Sequence, residues 1–128
     1  MKRVTGIGGI FFKARDPAAL RAWYQRHLGV PLEDWGGAAF RWTGDDGQPC
    51  GGTTIWSVAE AGAETFAPGR ADFVVNYRVA DLRALVATLR AEGCEVLDRI
   101  EESEFGLFGW VIDPEGHKVE LWQPPDGV

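Results

Sequence analysis

Hydrophobic positions along this chain switch between a period of two and a period of three to four, and each switch marks an element. Val4 to Ala14 alternates, which puts Ile10, Phe12 and Ala14 on one face of a strand and Gly9, Phe11 and Lys13 on the other. Asp16-Pro17 then supplies an N-cap followed by proline at the first helical position, and Gly29 closes the segment. Between them Leu20, Trp23, Tyr24, His27 and Leu28 recur at helical spacing, predicting an amphipathic helix with its apolar stripe on a sheet. His27 falls in the last turn, where imidazole interacts favourably with the helix dipole. Residues 38–42 and 53–58 read as strands around the turn Gly44-Asp45-Asp46-Gly47, and residues 59–71 as a connecting loop.

The opening pattern then returns. Phe73 to Val79 reads as a strand, Asp81 as an N-cap, and Leu82, Leu85, Val86 and Leu89 as a helical stripe ended by Gly93. A shift of 65 positions carries Asp16 onto Asp81, Ile10-Phe11-Phe12-Lys13-Ala14 onto Val75-Asn76-Tyr77-Arg78-Val79, and Gly51 onto Gly116. The chain is therefore expected to be α+β, two tandem βαβββ modules forming one cupped mixed sheet with the helices on its outer face. Module one spans residues 1–60, the loop 61–71 and module two 72–125, within a single domain. Residues 94–100 are expected to supply the second copy's next strand, and residues 101–106 an acidic loop.

The last hairpin carries the oddest residue. Trp110 to Ile112 meets Asp113-Pro114-Glu115-Gly116, a tight turn, and the chain restarts as Val119-Glu120-Leu121-Trp122. Alternation sends Glu120 and Trp122 to one face, so a carboxylate stands on an otherwise apolar strand. It either faces water or points into a cavity as a base, a ligand or a recognition group. Residues alternating away from the helices are expected to line the cup: Gly9, Phe11 and Lys13, then Val74, Asn76 and Arg78, joined by Glu120 and Trp122. With Trp42, Trp56 and Trp110 as further flat walls, the mixture describes a small-molecule pocket.

Charge narrows the partners. At 128 residues and a net charge of -6 the chain is expected to be repelled by phosphate backbones and anionic lipid, which argues against nucleic-acid and membrane partners. Lys2-Arg3 before a short apolar run resembles a signal peptide superficially, but glycines break the run and Lys13 follows it, so it reads as a strand. A cytoplasmic protein with two free thiols, Cys50 and Cys94, is the expectation, their spacing matching no metal motif.

Together these motifs resemble the vicinal oxygen chelate superfamily, which includes glyoxalase I, extradiol dioxygenases and the fosfomycin- and bleomycin-resistance proteins. The resemblance rests on Phe12-Lys13-Ala14-Arg15-Asp16-Pro17 leading into Trp23-Tyr24 and His27-Leu28-Gly29, on Val79-Ala80-Asp81-Leu82, and on Asp113-Pro114-Glu115-Gly116 followed by Glu120-Leu121. It implies a divalent metal held by His, Gln or Glu at four strand positions. Those positions fall here on Gly9, Val74, Thr54 or Ile55, and Glu120, so only Glu120 matches a ligand and no metal cofactor is expected. A divalent ion bound by substrate with Glu120 and His117 is the alternative, although His117 reads as a plain turn residue.

The expected function is therefore a metal-free, homodimeric binding protein for a small organic molecule, one with an aromatic or cationic part stacking on tryptophan. Phe11, Lys13, Trp42, Trp56, Asn76, Arg78, Trp110 and Trp122 are its ligand-binding candidates. A glyoxalase-type lyase, isomerase or dioxygenase with Glu120 as catalytic residue, and a non-catalytic assembly module, are the other two readings.

Overall fold

The alternation and the two Asp-capped stripes become ten elements in a computed structural model that describes residues 3–128. They run β1 (Val4–Ala14), α1 (Pro17–Leu28), β2 (Ala38–Thr43), β3 (Pro49–Glu60), β4 (Phe73–Val79), α2 (Leu82–Ala91), β5 (Glu95–Val96), β6 (Glu101–Ser103), β7 (Gly106–Ile112) and β8 (Lys118–Gln123). Each helix starts where an aspartate accepts a backbone N–H three residues on: Asp16 from Ala19 and Asp81 from Ala84, both at 3.1 Å. Gly29 ends α1 at a φ of 65°, in the left-handed region that glycine adopts without strain.

The strands form one mixed sheet ordered β2-β3-β1-β4-β8-β7-β5, with β6 pairing β7. In each half the first strand pairs in parallel with the last, β1 with β3 and β4 with β8, and the halves meet where β1 runs antiparallel to β4. The fold is the expected cupped α+β sheet with two helices. One apolar cluster lies under each helix: Ala14, Ala38, Trp56 and Val58 with Tyr24 and Leu20 of α1, and Val79, Leu121 and Tyr77 with Leu82, Leu85 and Val86 of α2.

Three expectations change. Residues 94–100 are not one strand, because only Glu95–Val96 pairs with β7 before the chain bends at Asp98 and turns Arg99 onto the Trp110 ring. Residues 101–106 are not simply a loop: Glu101–Ser103 forms an antiparallel hairpin with the start of β7. The α1 stripe is shallow, since Leu20 and Tyr24 pack on the sheet while Trp23 and Leu28 are more than half exposed. His27 packs its ring against Trp23 on the helix surface.

Candidate functional site

Pairing registers carry the cup-facing residues into transverse rows. One row crosses five strands as Ile55, Gly9, Asn76, Glu120 and Trp110, and the next runs Gly6, Arg78, Trp122 and Phe108. Residues level with one another share a face, so these rows are the floor of the cup. The register also corrects the repeat-based expectation for Val74. Gly9 stands level with Ile55 as Asn76 stands level with Glu120, so Asn76 rather than Val74 takes the second module's position. The two parallel ladders thus differ by two residues in register, which a constant shift along the sequence cannot show.

Glu120 sits at the centre of this floor. Its Oε1 accepts from Asn76 Nδ2 at 2.6 Å and its Oε2 from Trp110 Nε1 at 2.9 Å. Removal from water raises its pKa above the ordinary glutamate range, while the Asn76 and Trp110 donors and the Lys118 ammonium pull it back only in part. Lys118, two residues earlier on the same strand, is buried; desolvation lowers its pKa. Its ammonium and the Arg99 guanidinium lie 5.4 and 4.9 Å from the centre of the Trp110 ring. These groups, with Glu64, Thr65 and Glu101, enclose a polar chamber of about 180 Å³.

A larger cavity of about 560 Å³ opens on the other side of Asn76. Phe11, Ile55, Phe108 and Trp122 rise from the sheet, Gly8 leaves room between them, Trp35 enters from the α1–β2 connection, Glu104 and Phe105 from the β6–β7 turn, and Pro125 and Val128 from the end of the chain. Phe108 and Trp122 stack within 7° of parallel, and Trp122 Nε1 donates to the Phe105 carbonyl at 2.8 Å, fixing the turn that carries Phe105. Asn76 is 2% exposed; with its N–H given to Glu120, its Oδ1 is buried without a partner, against Gly8.

The structure thus brings Phe11, Asn76 and Trp122 together at the larger cavity and places Trp110 and Glu120 in the polar chamber. The remaining candidates lie elsewhere. Trp56 is on the opposite face of β3, packed on Phe12 and Tyr24, because Ile55 faces the cup and alternation turns its neighbour to the helix. Lys13 lies over the Phe66 ring beside an open recess at the start of α1. Arg78 is held between the Trp42 and Trp122 rings, 5.1 and 5.3 Å from their centres, and donates to Thr53 O and Val128 O. Trp42 therefore braces Arg78 rather than lining the cavity. Trp35, Ile55, Phe105, Phe108, Pro125 and Val128 were not among the expected residues; Phe108 was the most legible, since it sits level with Trp122 across the hairpin.

The divalent ion implied by the resemblance does not suit these donors. Gly9 and Ile55 offer no ligand atom, Asn76 turns its amide nitrogen toward Glu120 and its Oδ1 against Gly8, and both Glu120 oxygens already accept hydrogen bonds. Among the described residues no three His, Cys, Asp or Glu gather as a cation site. His117 is tied to the turn, its Nδ1 2.8 Å from Asp113 Oδ2, and lines neither chamber.

Comparison with known proteins adds the following. A family model described as a glyoxalase-like domain matches residues 9–122. Among solved structures, a single-residue variant of the methylmalonyl-CoA epimerase from Streptomyces coelicolor, in complex with 2-nitronate-propionyl-CoA, superposes at a TM-score of 0.71 with 20% identity, covering 97% of both chains. A methylmalonyl-CoA epimerase in complex with methylmalonyl-CoA and NH4+ gives 0.70 with 19% identity and the same coverage. A glyoxalase/bleomycin resistance protein/dioxygenase superfamily member from Vibrio splendidus 12B01 gives 0.54 with 15% identity, over 93% of this chain and 97% of that one. At such identities the likeness is one of fold. No curated protein matches.

Proposed function

The chain belongs to the glyoxalase-like domain family, and from that premise we propose that it binds a small organic molecule in the larger cavity without a metal ion. The observation that carries this reading is the cavity itself, about 560 Å³ and walled by five aromatic side chains, a size and lining suited to a compact ring-bearing ligand. What supports metal independence is the donor set, in which Glu120 alone of the four family positions carries a carboxylate and that carboxylate is already hydrogen-bonded. Glu120 then acts through Asn76, holding the amide in one orientation at the cavity wall.

The reading includes a homodimer, as the family resemblance implies. Trp23, Leu28 and the edge-strand residue Phe40 are exposed apolar groups of the kind a second copy covers. A cytoplasmic location remains part of the proposal; among the described residues no helix is long and apolar enough to cross a membrane.

Saturation-transfer NMR with small aromatic fragments tests the cavity. Fragments should bind the wild-type protein, lose binding in Ile55→Trp, which fills the cavity, and bind at least about tenfold more weakly in Trp122→Ala, which removes a wall. Lys13→Ala, outside the cavity, should bind as wild type. Failure of the wild-type protein to bind any fragment overturns the proposal.

Acid–base catalysis is the second reading, favoured by one observation: Glu120, with its raised pKa, faces a chamber of its own beside Lys118. A proton-transfer reaction abolished by Glu120→Gln, with fragment binding retained, would move the assignment there.

A further inference from the structure

No side chain that lines the larger cavity carries a positive charge, and apart from Asn76 and Glu104 the lining is aromatic or aliphatic. Phe11, Trp35, Phe105, Phe108 and Trp122 present aromatic rings, whose faces are negative. Glu104, exposed at the rim, is the one ionisable side chain among the lining residues. Asn76 offers the cavity no cation, since its amide nitrogen is directed at Glu120 and its Oδ1 is buried against Gly8. Arg78 touches the Trp122 ring but does not line the cavity, and its guanidinium is engaged by the carbonyls of Thr53 and Val128.

A ligand anion would meet no lining cation. A neutral hydrocarbon would gain from burial but would make no use of Glu104. A positive charge on an apolar skeleton suits both the aromatic rings and Glu104, since aromatic walls with an adjacent carboxylate hold ammonium groups in preference to neutral ones. The net charge of -6 also draws cations toward the molecule.

We propose that the ligand is an organic cation, a protonated amine or quaternary ammonium on an apolar body, with its charge held between the aromatic rings and Glu104. This rests on the larger cavity being the binding site, and the experiment separates the two claims.

Three probes of matched shape are titrated against the full chain by calorimetry: benzyltrimethylammonium, its neutral carbon analogue neopentylbenzene, and the anion phenylmethanesulfonate. The cation should bind about tenfold more tightly than the neutral compound, about 1.4 kcal/mol, and the sulfonate more weakly than either. Glu104→Gln, a change at an exposed position, should weaken cation binding several-fold and leave neopentylbenzene unchanged. Equal affinity for cation and neutral compound, tighter binding of the sulfonate, or a cation preference untouched by Glu104→Gln overturns the charge assignment and leaves the cavity as a binding site. Failure of all three to bind overturns both claims.

Discussion

Glu120 shows what one buried carboxylate does to the surrounding strands. Because its folded-state pKa lies above that of an unfolded chain, the native protein holds this proton more firmly, and the associated stability is complete at low pH. It is lost as pH climbs from the ordinary glutamate range through the raised value. Glu120→Gln removes that titration, so the melting temperature of wild type minus that of the variant should fall as pH rises from 4 upward. The slope cannot exceed about 1.4 kcal/mol per pH unit for one proton; a difference flat across pH 4 to 8 would contradict the burial argument. Alternation within the final hairpin made Glu120 and Trp122 legible as a pair on one face, and alternation in β4 did the same for Asn76. The same rule read without a reference face misplaced Trp56, since parity orders neighbours but does not say which parity looks inward. Trp35 and Phe105 stand in turns, where no period exists to signal them.

The helices differ more than their matching Asp caps suggest. Helix α2 buries Leu82, Leu85 and Val86, whereas α1 buries no residue fully. Leu85→Ala should therefore cost about 2–4 kcal/mol in denaturant unfolding, while Trp23→Gln, at a position 51% exposed, should change monomer stability by less than about 1 kcal/mol. Amide exchange should likewise reach α1 before α2. Capping and spacing revealed that both helices exist, but the depth of a stripe depends on the strands beneath it, and Trp23 and Leu28 count as apolar whether or not anything covers them. At β5 and β6 the reason was different: the acidic composition of residues 101–104 concealed a strand whose ladder partner, Gly106 to Phe108, lies just beyond its own turn.

At the scale of the molecule, the exposed apolar groups on α1 and β2 bear on assembly. If a second copy covers them, sedimentation velocity at micromolar concentration should show a dimer, and Trp23→Glu combined with Phe40→Glu should shift it to monomer without loss of helix content. A monomer at all concentrations would remove the homodimer from the proposal. The internal repeat made the architecture readable almost entire, because two weak patterns that agree at one shift constrain each other. The cup's contents were less so, since the parallel ladders of the two halves differ by two residues in register and break that shift at the cup floor. The close approach of β1 to β3 within the first half sets a further limit. A side chain at Gly9 would begin 2.7 Å from the carbonyl oxygen of Ile55, so a histidine there cannot arise until β1 and β3 move apart. A metal-ligating side chain at Gly9 would require the backbone to shift first, whereas the aromatic walls can vary in place.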